Sequence, residues 1–518
     1  MILHDLIGIG IISVLGIGML VVADMVKRIW DVPSEVSRKI AHVGCGGVLL
    51  VIPLVVTTHW SVLILSTSFA ILMFATHALG LLRGVHGVGR GLGGVLVYPF
   101  AGWLAYWLSF TVTERGWVLY GSSIAVLAIA DAAGALVGRS YGRHQYEVTD
   151  DHHRSLEGSA AVYVSAWLCV AVGVGISHSS SFIQLMLLST AVAITATLLE
   201  TVSVAGLDNL LVPFGTLFVL HHVLDMSAAE LVLQLGLIAA CAAGVIVLTY
   251  RRMSTVGGAV SIMLTGYLVW TTGGTQWIAP FAALAAVFAL YERLTPMQTK
   301  HTRSRYAIST MITGLAVPVV VSTAAYLSTN PAQTHVLHTA FIASLGTTAA
   351  ILLFMMPQHH SFRFKRLRRS LSTRHHWQYT PTAGKVALAC VGAALPALIV
   401  RAADPAATMP VIASMVWGLA GCSLFVASAS FWKCSHRMCP VCGSVDLLGM
   451  YCCQDEVMDE STSTNPHGIC ATQPKVATLP HGGTLSVPRY AVSFLENFMM
   501  ANVAAAGAAA IGALWLGM

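Results

Sequence analysis

Long apolar runs separated by short polar connectors set the pattern of this chain. The first run, roughly Leu6–Ala23, closes on Lys27-Arg28, and Trp117–Val137, Ala160–Val174 and Leu231–Leu248 follow the same plan. Each is long enough, or nearly so, to cross a hydrocarbon layer of roughly 30 Å as a helix. Barrel strands would be shorter and would alternate strictly between apolar and polar positions, and no such alternation is present. The runs predict an all-α, polytopic integral membrane protein of about 16 spans, with its N-terminus outside. The first run lacks a basic leader and a clear cleavage motif, so it reads as a retained helix rather than a signal peptide.

Composition agrees. Of 518 residues, 56% are hydrophobic and 10% charged, against roughly 25% charged in soluble proteins. The mean hydropathy is +0.75. A net charge of +6 does not point to nucleic acid, because the basic residues sit in short connectors: Lys27 and Arg28, Arg38 and Lys39, Arg83 and Arg90, Arg139, Arg143 and Arg154, then Arg251 and Arg252. In order along the chain these fall on one side of the membrane, which the positive-inside rule assigns to the cytoplasm. Most of the 11 cysteines lie in apolar runs, where they act as small hydrophobes.

Four regions follow from the same pattern. Residues 1–250 carry polar signatures in their connectors, and 251–430 are apolar and poor in carboxylates. Residues 431–498 form an extended polar region, and 499–518 a small-residue helix that returns to the membrane. The basic loop after Met356 reads as a topology anchor able to attract anionic headgroups.

Candidate chemistry gathers in the first region. Glu35, Arg38, Lys39 and His42 are spaced to share one helical face, followed by Gly44, Gly46 and Gly47. Arg38 or Lys39 is suited to phosphate, and His42 to relaying a proton or positioning a hydroxyl. A glycine-punctuated loop, Arg83 to Gly94, offers backbone amides to an oxyanion but is no Walker A motif. Asp131 is written into the last turns of an apolar helix, where a carboxylate is costly and usually functional. Arg139 and Arg143 follow it, and then Arg154-Ser155-Leu156-Glu157-Gly158-Ser159 leads into the next span.

Phosphoryl transfer needs a divalent cation on oxygen ligands, cationic groups on the migrating phosphoryl and an orienter for the attacking hydroxyl. This stretch supplies all three. Glu200 and Asp208-Asn209 flank a short segment bearing Pro213, which suggests a second metal-coordinating wall facing Asp131; a helix cap by Asp208 or Asn209 is the plainer reading. Near the C-terminus, Cys439-Pro-Val-Cys442-Gly443 has the turn of a zinc knuckle, with Cys452 among the available partners. A structural zinc, a disulfide and free thiols all remain open there.

These motifs, read together, resemble the membrane lipid kinase family of phytol kinase, dolichol kinase and the CTP-dependent diacylglycerol kinase. The resemblance covers roughly residues 30–223: Glu35-x-x-Arg38-Lys39-x-x-His42, Tyr98-Pro99, Asp131-x-x-Gly134 with Gly138-Arg139-x-x-Gly142, Arg154-Ser155-x-Glu157-Gly158-Ser159, and Gly206-Leu207-Asp208-Asn209 with Pro213. It implies transfer of the γ-phosphoryl of CTP to a long-chain prenyl alcohol at the cytosolic membrane face, with Mg²⁺. On that reading Asp131, Glu157, Asp208 and His42 are catalytic, with Asp131 and Asp208 on the Mg²⁺. Lys39, Arg38, Arg139, Arg143, Arg154, Ser155, Gly158 and Asn209 hold nucleotide and phosphate.

The family usually has Lys where Arg154 stands, so a rigid fork replaces a point charge. Residues 251–292 resemble a second family that includes phytyl-phosphate kinase, but Gly346-Thr347-Thr348 stands where that family carries acidic residues. The second half is therefore expected to be non-catalytic. A CDP-lipid-forming cytidylyltransferase and a non-enzymatic transporter or scaffold are the rival expectations, and a homo-oligomer is left open.

Overall fold

The computed structural model describes residues 2–82, 93–113, 115–149, 152–203, 206–250, 256–274, 276–282, 308–328 and 330–355, with a few isolated positions besides. Eleven helices and one hairpin run from the N-terminus in the order α1 (Ile2–Trp30), α2 (Ser34–Val55), α3 (His59–Ala78), α4 (Gly93–Trp107), α5 (Trp117–Ala125), α6 (Asp131–Tyr141), β1 (Gln145–Thr149), β2 (His152–Ser155), α7 (Leu156–Ser177), α8 (Phe182–Val202), α9 (Asp208–Val223), α10 (Ala228–Tyr250) and α11 (Val256–Gly273). Then come α12 (Ile308–Leu327) and α13 (Pro331–Met355). The chain divides into two compact units, Met1–Thr271 with Tyr291–Ile312, and Thr272–Leu290 with Thr313–Met518.

Nine helices among the described residues are long and apolar enough to cross a membrane. The protein is thus polytopic and predominantly helical; the expected count of about 16 also draws on segments outside the described residues.

Burial in the first unit is inside out relative to a soluble bundle. Helices α1, α3, α7 and α10 present Leu3, Ile7, Val14, Ile64, Ile71, Phe74, Val164, Val172, Leu233 and Ile246 to the outside, an apolar surface suited to lipid. The centre is built from α8, α9 and the α5–α6 rod, where Leu188, Val192, Leu199, Val212, Leu220 and Ile124 are buried. Two buried hydroxyls there turn onto their own helices: Thr195 Oγ1 donates to Ala191 O at 3.0 Å and Ser203 Oγ to Leu199 O at 2.6 Å. That removes a polar penalty hydrocarbon would otherwise impose.

Polar caps close the connectors. Ser181 and Gln184 form a reciprocal capping box at α8, and Thr58 caps α3. At one end of the unit the Asp5 carboxylate accepts from the backbone and side chains of both Thr57 and Thr58, tying α1 to the α2–α3 turn. Arg115 pairs with Asp225 at that same end. Alternation of the spans brings the end of α1, the start of α2, the end of α6 and the α8–α9 connector to the opposite end.

Two departures from regular helix matter. Leu108–Val112 continues α4, and Val126–Ala130 joins α5 to α6, each as a π-helical turn. Between α6 and α7, where the sequence suggests only a polar loop, β1 and β2 pair antiparallel with Tyr146 opposite Arg154 and an irregularity between Glu147 and Thr149. The hairpin forms because Val148 finds a buried position and Leu156 N donates to His144 O at 2.9 Å, closing its base.

Candidate functional site

Three residues from two distant motifs meet inside the first unit. Lys39 and His42, four and three residues beyond Glu35 and Lys39 respectively, lie on one face of α2, and that face packs on the α5–α6 rod. Lys39 Nζ reaches Asp131 Oδ2 at 2.6 Å, and His42 Nε2 lies 3.1 Å from the same oxygen. Lys39 and Asp131 are 4% and 6% exposed, so the pair is removed from water. Desolvating two charges costs nearly all their attraction returns, and ionisable groups buried within membrane bundles are commonly sites of function.

The π-turn explains the third contact. An inserted residue in a helix shifts the hydrogen-bond ladder and leaves a carbonyl available. Here His42 Nε2 also lies 2.9 Å from Leu127 O, inside Val126–Ala130. Both neighbours of Nε2 are acceptors, so Nε2 carries the proton and Nδ1 is the lone-pair nitrogen. Tyr98 stacks obliquely on the ring and donates its hydroxyl to His42 O at 2.9 Å. Close backbone approach makes this possible: a Cβ on Gly46 would fall 2.2 Å from Ala128 Cβ and 3.0 Å from the Tyr98 hydroxyl.

A second pair lies alongside. Arg154, from β2, binds Glu200 at the end of α8 through Nη1 at 2.5 Å, while its Nη2 donates to Glu200 O at 3.1 Å. One guanidinium thus holds both the side chain and a last-turn carbonyl of a helix, which a lysine ammonium cannot do with the same geometry. Glu200 is in electrostatic reach of Asp131, Asp208 and Lys39, and Asp208 acts on His42 as well. Asp208 sits in the first turn of α9 without capping it, its Oδ1 accepting from Asn209 N at 3.0 Å. Asn209 Nδ2 crosses to Gly94 O at 2.8 Å, fixing the start of α4 to the start of α9.

The remaining sequence-derived residues take other places. Arg38 pairs with Glu35 at 2.8 Å, its Nε is buried with no hydrogen-bond partner, and its charge acts on Asp131. Ser155 caps α7, accepting from Gly158 N at 3.1 Å. Gly158 lies under α6, where a Cβ on Gly138 would meet its Cα at 3.4 Å and one on Gly134 would strike Val162 at 2.3 Å. Glu157 turns away to His144, accepting from its ring at 2.7 Å and from its backbone N–H at 3.2 Å. In this arrangement it braces the hairpin on α7. Arg139 and Arg143 are exposed at and just beyond the end of α6. Leu127 O is the contributor that the sequence does not assign to this cluster; Glu200, just after the apolar run Ala191–Leu199, and Tyr98, in the Tyr98-Pro99 step, are visible as motifs without their partners.

No group of three or more His, Cys, Asp or Glu suited to a metal ion occurs among the described residues. Cys439, Cys442 and Cys452, together with the Arg83–Gly91 stretch, lie outside them.

Against known proteins, the chain is 31% identical over 194 residues to the phytol kinase of Synechocystis sp., a match covering 38% of this chain and 82% of the relative. The chain belongs to the phytol kinase family. By that kinship it is an enzyme, and because the match covers 38% of this chain, most of residues 1–518 lie outside the matched stretch. No family model and no solved structure matches the chain.

Proposed function

We propose that the protein is a membrane prenyl-alcohol kinase that moves the γ-phosphoryl of a nucleoside triphosphate, CTP by the resemblance of its motifs, onto the alcohol's hydroxyl. The observation that carries this reading is the buried Lys39–Asp131–His42 cluster, set where α2 meets a π-turn and close to a second acidic wall. The relative's name supplies the class of acceptor.

His42 holds its proton on Nε2, against Leu127 O and Asp131, so Nδ1 accepts the proton of an alcohol bound beside the ring. As that proton arrives, the new bond forms between the alcohol oxygen and Pγ and the Pγ–O bond to the β-phosphate breaks, releasing CDP. Asp131 stabilises the imidazolium by charge and fixes the ring's orientation, the part a carboxylate plays behind any catalytic histidine. Lys39, Arg38 and Arg154 offer the positive charge a spread phosphoryl transition state needs.

The donor set fits Mg²⁺. Asp131 and Asp208 would supply hard oxygen ligands, and the Lys39 and His42 contacts both fall on Oδ2 of Asp131, so neither occupies Oδ1. Mg²⁺ usually takes only one or two carboxylates and completes its shell with water and phosphate, so a cluster of three protein ligands is not required. Bound there, the ion would neutralise phosphate oxygens. The basic connectors of the α1–α2 and α6–α7 ends support a cytoplasmic-facing centre by the positive-inside rule.

The test is direct: purified protein in mixed micelles with Mg²⁺, CTP or ATP, and phytol, geranylgeraniol, a polyprenol or diacylglycerol. A prenyl monophosphate should form. Absence of any phosphorylated alcohol with either nucleotide across the panel would refute the reading.

A further inference from the structure

Beside His42 a cleft opens between α1, α2, α3 and α4, and its polarity is one-sided. At one end it meets Arg38, His42 and Asn209; beyond them it is lined by Ala41, Cys45, Val48 and Ile52 of α2. Ile12 and Gly16 of α1 and Leu65 and Phe69 of α3 close the other walls. Two polar side chains also line it, but both are spent on backbone: Ser66 Oγ donates to Pro99 O at 2.9 Å and Tyr98 to His42 O. From Arg38 to Ile52 the lining runs about 21 Å along α2, most of a hydrocarbon layer roughly 30 Å thick. Phe69 makes the cleft narrow: its ring lies over Gly16, where a Cβ would come within 2.4 Å of it.

We infer that this cleft holds the tail of the acceptor alcohol as a single extended chain, hydroxyl at His42, and that Val48, Ile52 and Leu65 set how long that chain can be. The inference rests on the kinase reading only for the identity of the ligand. A lipid with one polar head and one narrow apolar chain matches an entrance with three polar side chains and a carbon-lined body. Where the Phe69 ring lies over Gly16 the cleft is narrow, and a second acyl chain beside the first would have to displace that ring. Val48 is six residues, about 9 Å, past His42 on α2, so a large side chain there should stop a long tail and spare a short one.

Two photoreactive analogues test this without nucleotide: geranylgeraniol with a diazirine at its far end, and geraniol with one close to its hydroxyl. In the wild type the far-end probe should label α1 and α3 near Ile12 and Leu65, and excess geranylgeraniol should suppress labelling while diacylglycerol does not. Val48→Trp should lower that labelling at least about tenfold and change the short probe's by less than about twofold, in the range a blocked apolar pocket produces. Ile12→Trp, from the facing wall, makes the same test if Val48→Trp does not run as a monodisperse particle. Labelling outside the cleft in the wild type, equal loss of both probes in the variants, or competition by diacylglycerol would overturn the inference. Labelling as expected in a protein that transfers no phosphoryl would instead refute the kinase reading and leave the cleft's role standing.

Discussion

Asp131 is the residue on which the site turns, and its surroundings define what substitution should do. Asp131→Asn keeps the shape but leaves the Lys39 ammonium buried without its counter-charge, a change that costs about 3–5 kcal/mol in comparable buried pairs. The variant should therefore unfold at lower temperature and lose turnover. Lys39→Met in the same chain should restore much of the stability and none of the activity, as thermal unfolding in detergent and a transfer assay would show together; restored activity would remove the charge pair from the mechanism. His42→Gln should lower kcat by about 10²–10⁴, the usual worth of a positioned proton acceptor, with the nucleotide KM little changed.

Part of this was legible beforehand. Helical spacing alone puts Glu35, Arg38, Lys39 and His42 on one face, and a carboxylate at 131 inside an apolar run can only be buried. Which groups meet was not legible, because Lys39 and Asp131 are 92 residues apart and His42 and Leu127 are 85 apart. Periodicity carries no information across that distance. Glu157 shows the same limit: the hairpin, invisible to a helical reading, brings His144 to its carboxylate.

At the scale of elements, glycines govern how closely α6 lies on α7 and α2 on the π-turn. A Cβ on Gly142 would fall 2.2 Å from Gly138 O, a backbone atom that cannot swing aside. Gly142→Ala should thus distort the end of α6 and destabilise by about 1–3 kcal/mol, the range of overpacking in a tight contact. Gly46→Ala meets Ala128 Cβ, equally unable to move alone, and should push α2 off the π-turn, weakening activity more than stability. Similar losses of both would mean the contact serves packing only. Arg154→Lys should retain the charge but not the simultaneous grip on Glu200 and its carbonyl, so the α8–α9 connector should exchange amide hydrogens faster than in the wild type. Helix existence and lipid-facing surfaces were readable from apolar runs. The π-turn at Val126–Ala130 and the hairpin were not, since each depends on tertiary contacts: a carbonyl claimed by His42, and a buried place for Val148.

At the largest scale the first unit solves one problem: it encloses a charged centre in α2, the α5–α6 rod, α8 and α9, while its outer helices present apolar side chains suited to lipid. The order of the motifs made the family legible, because several must coincide along the first unit for the resemblance to hold. The reaction itself is tested most directly by the fate of the phosphates. Incubated with Mg²⁺, geranylgeraniol and CTP labelled either at the α or at the γ position, the protein should transfer γ-label alone to the lipid, and CDP should retain the α-label. Appearance of α-label in the lipid with release of pyrophosphate would show a cytidylyltransferase and contradict the account.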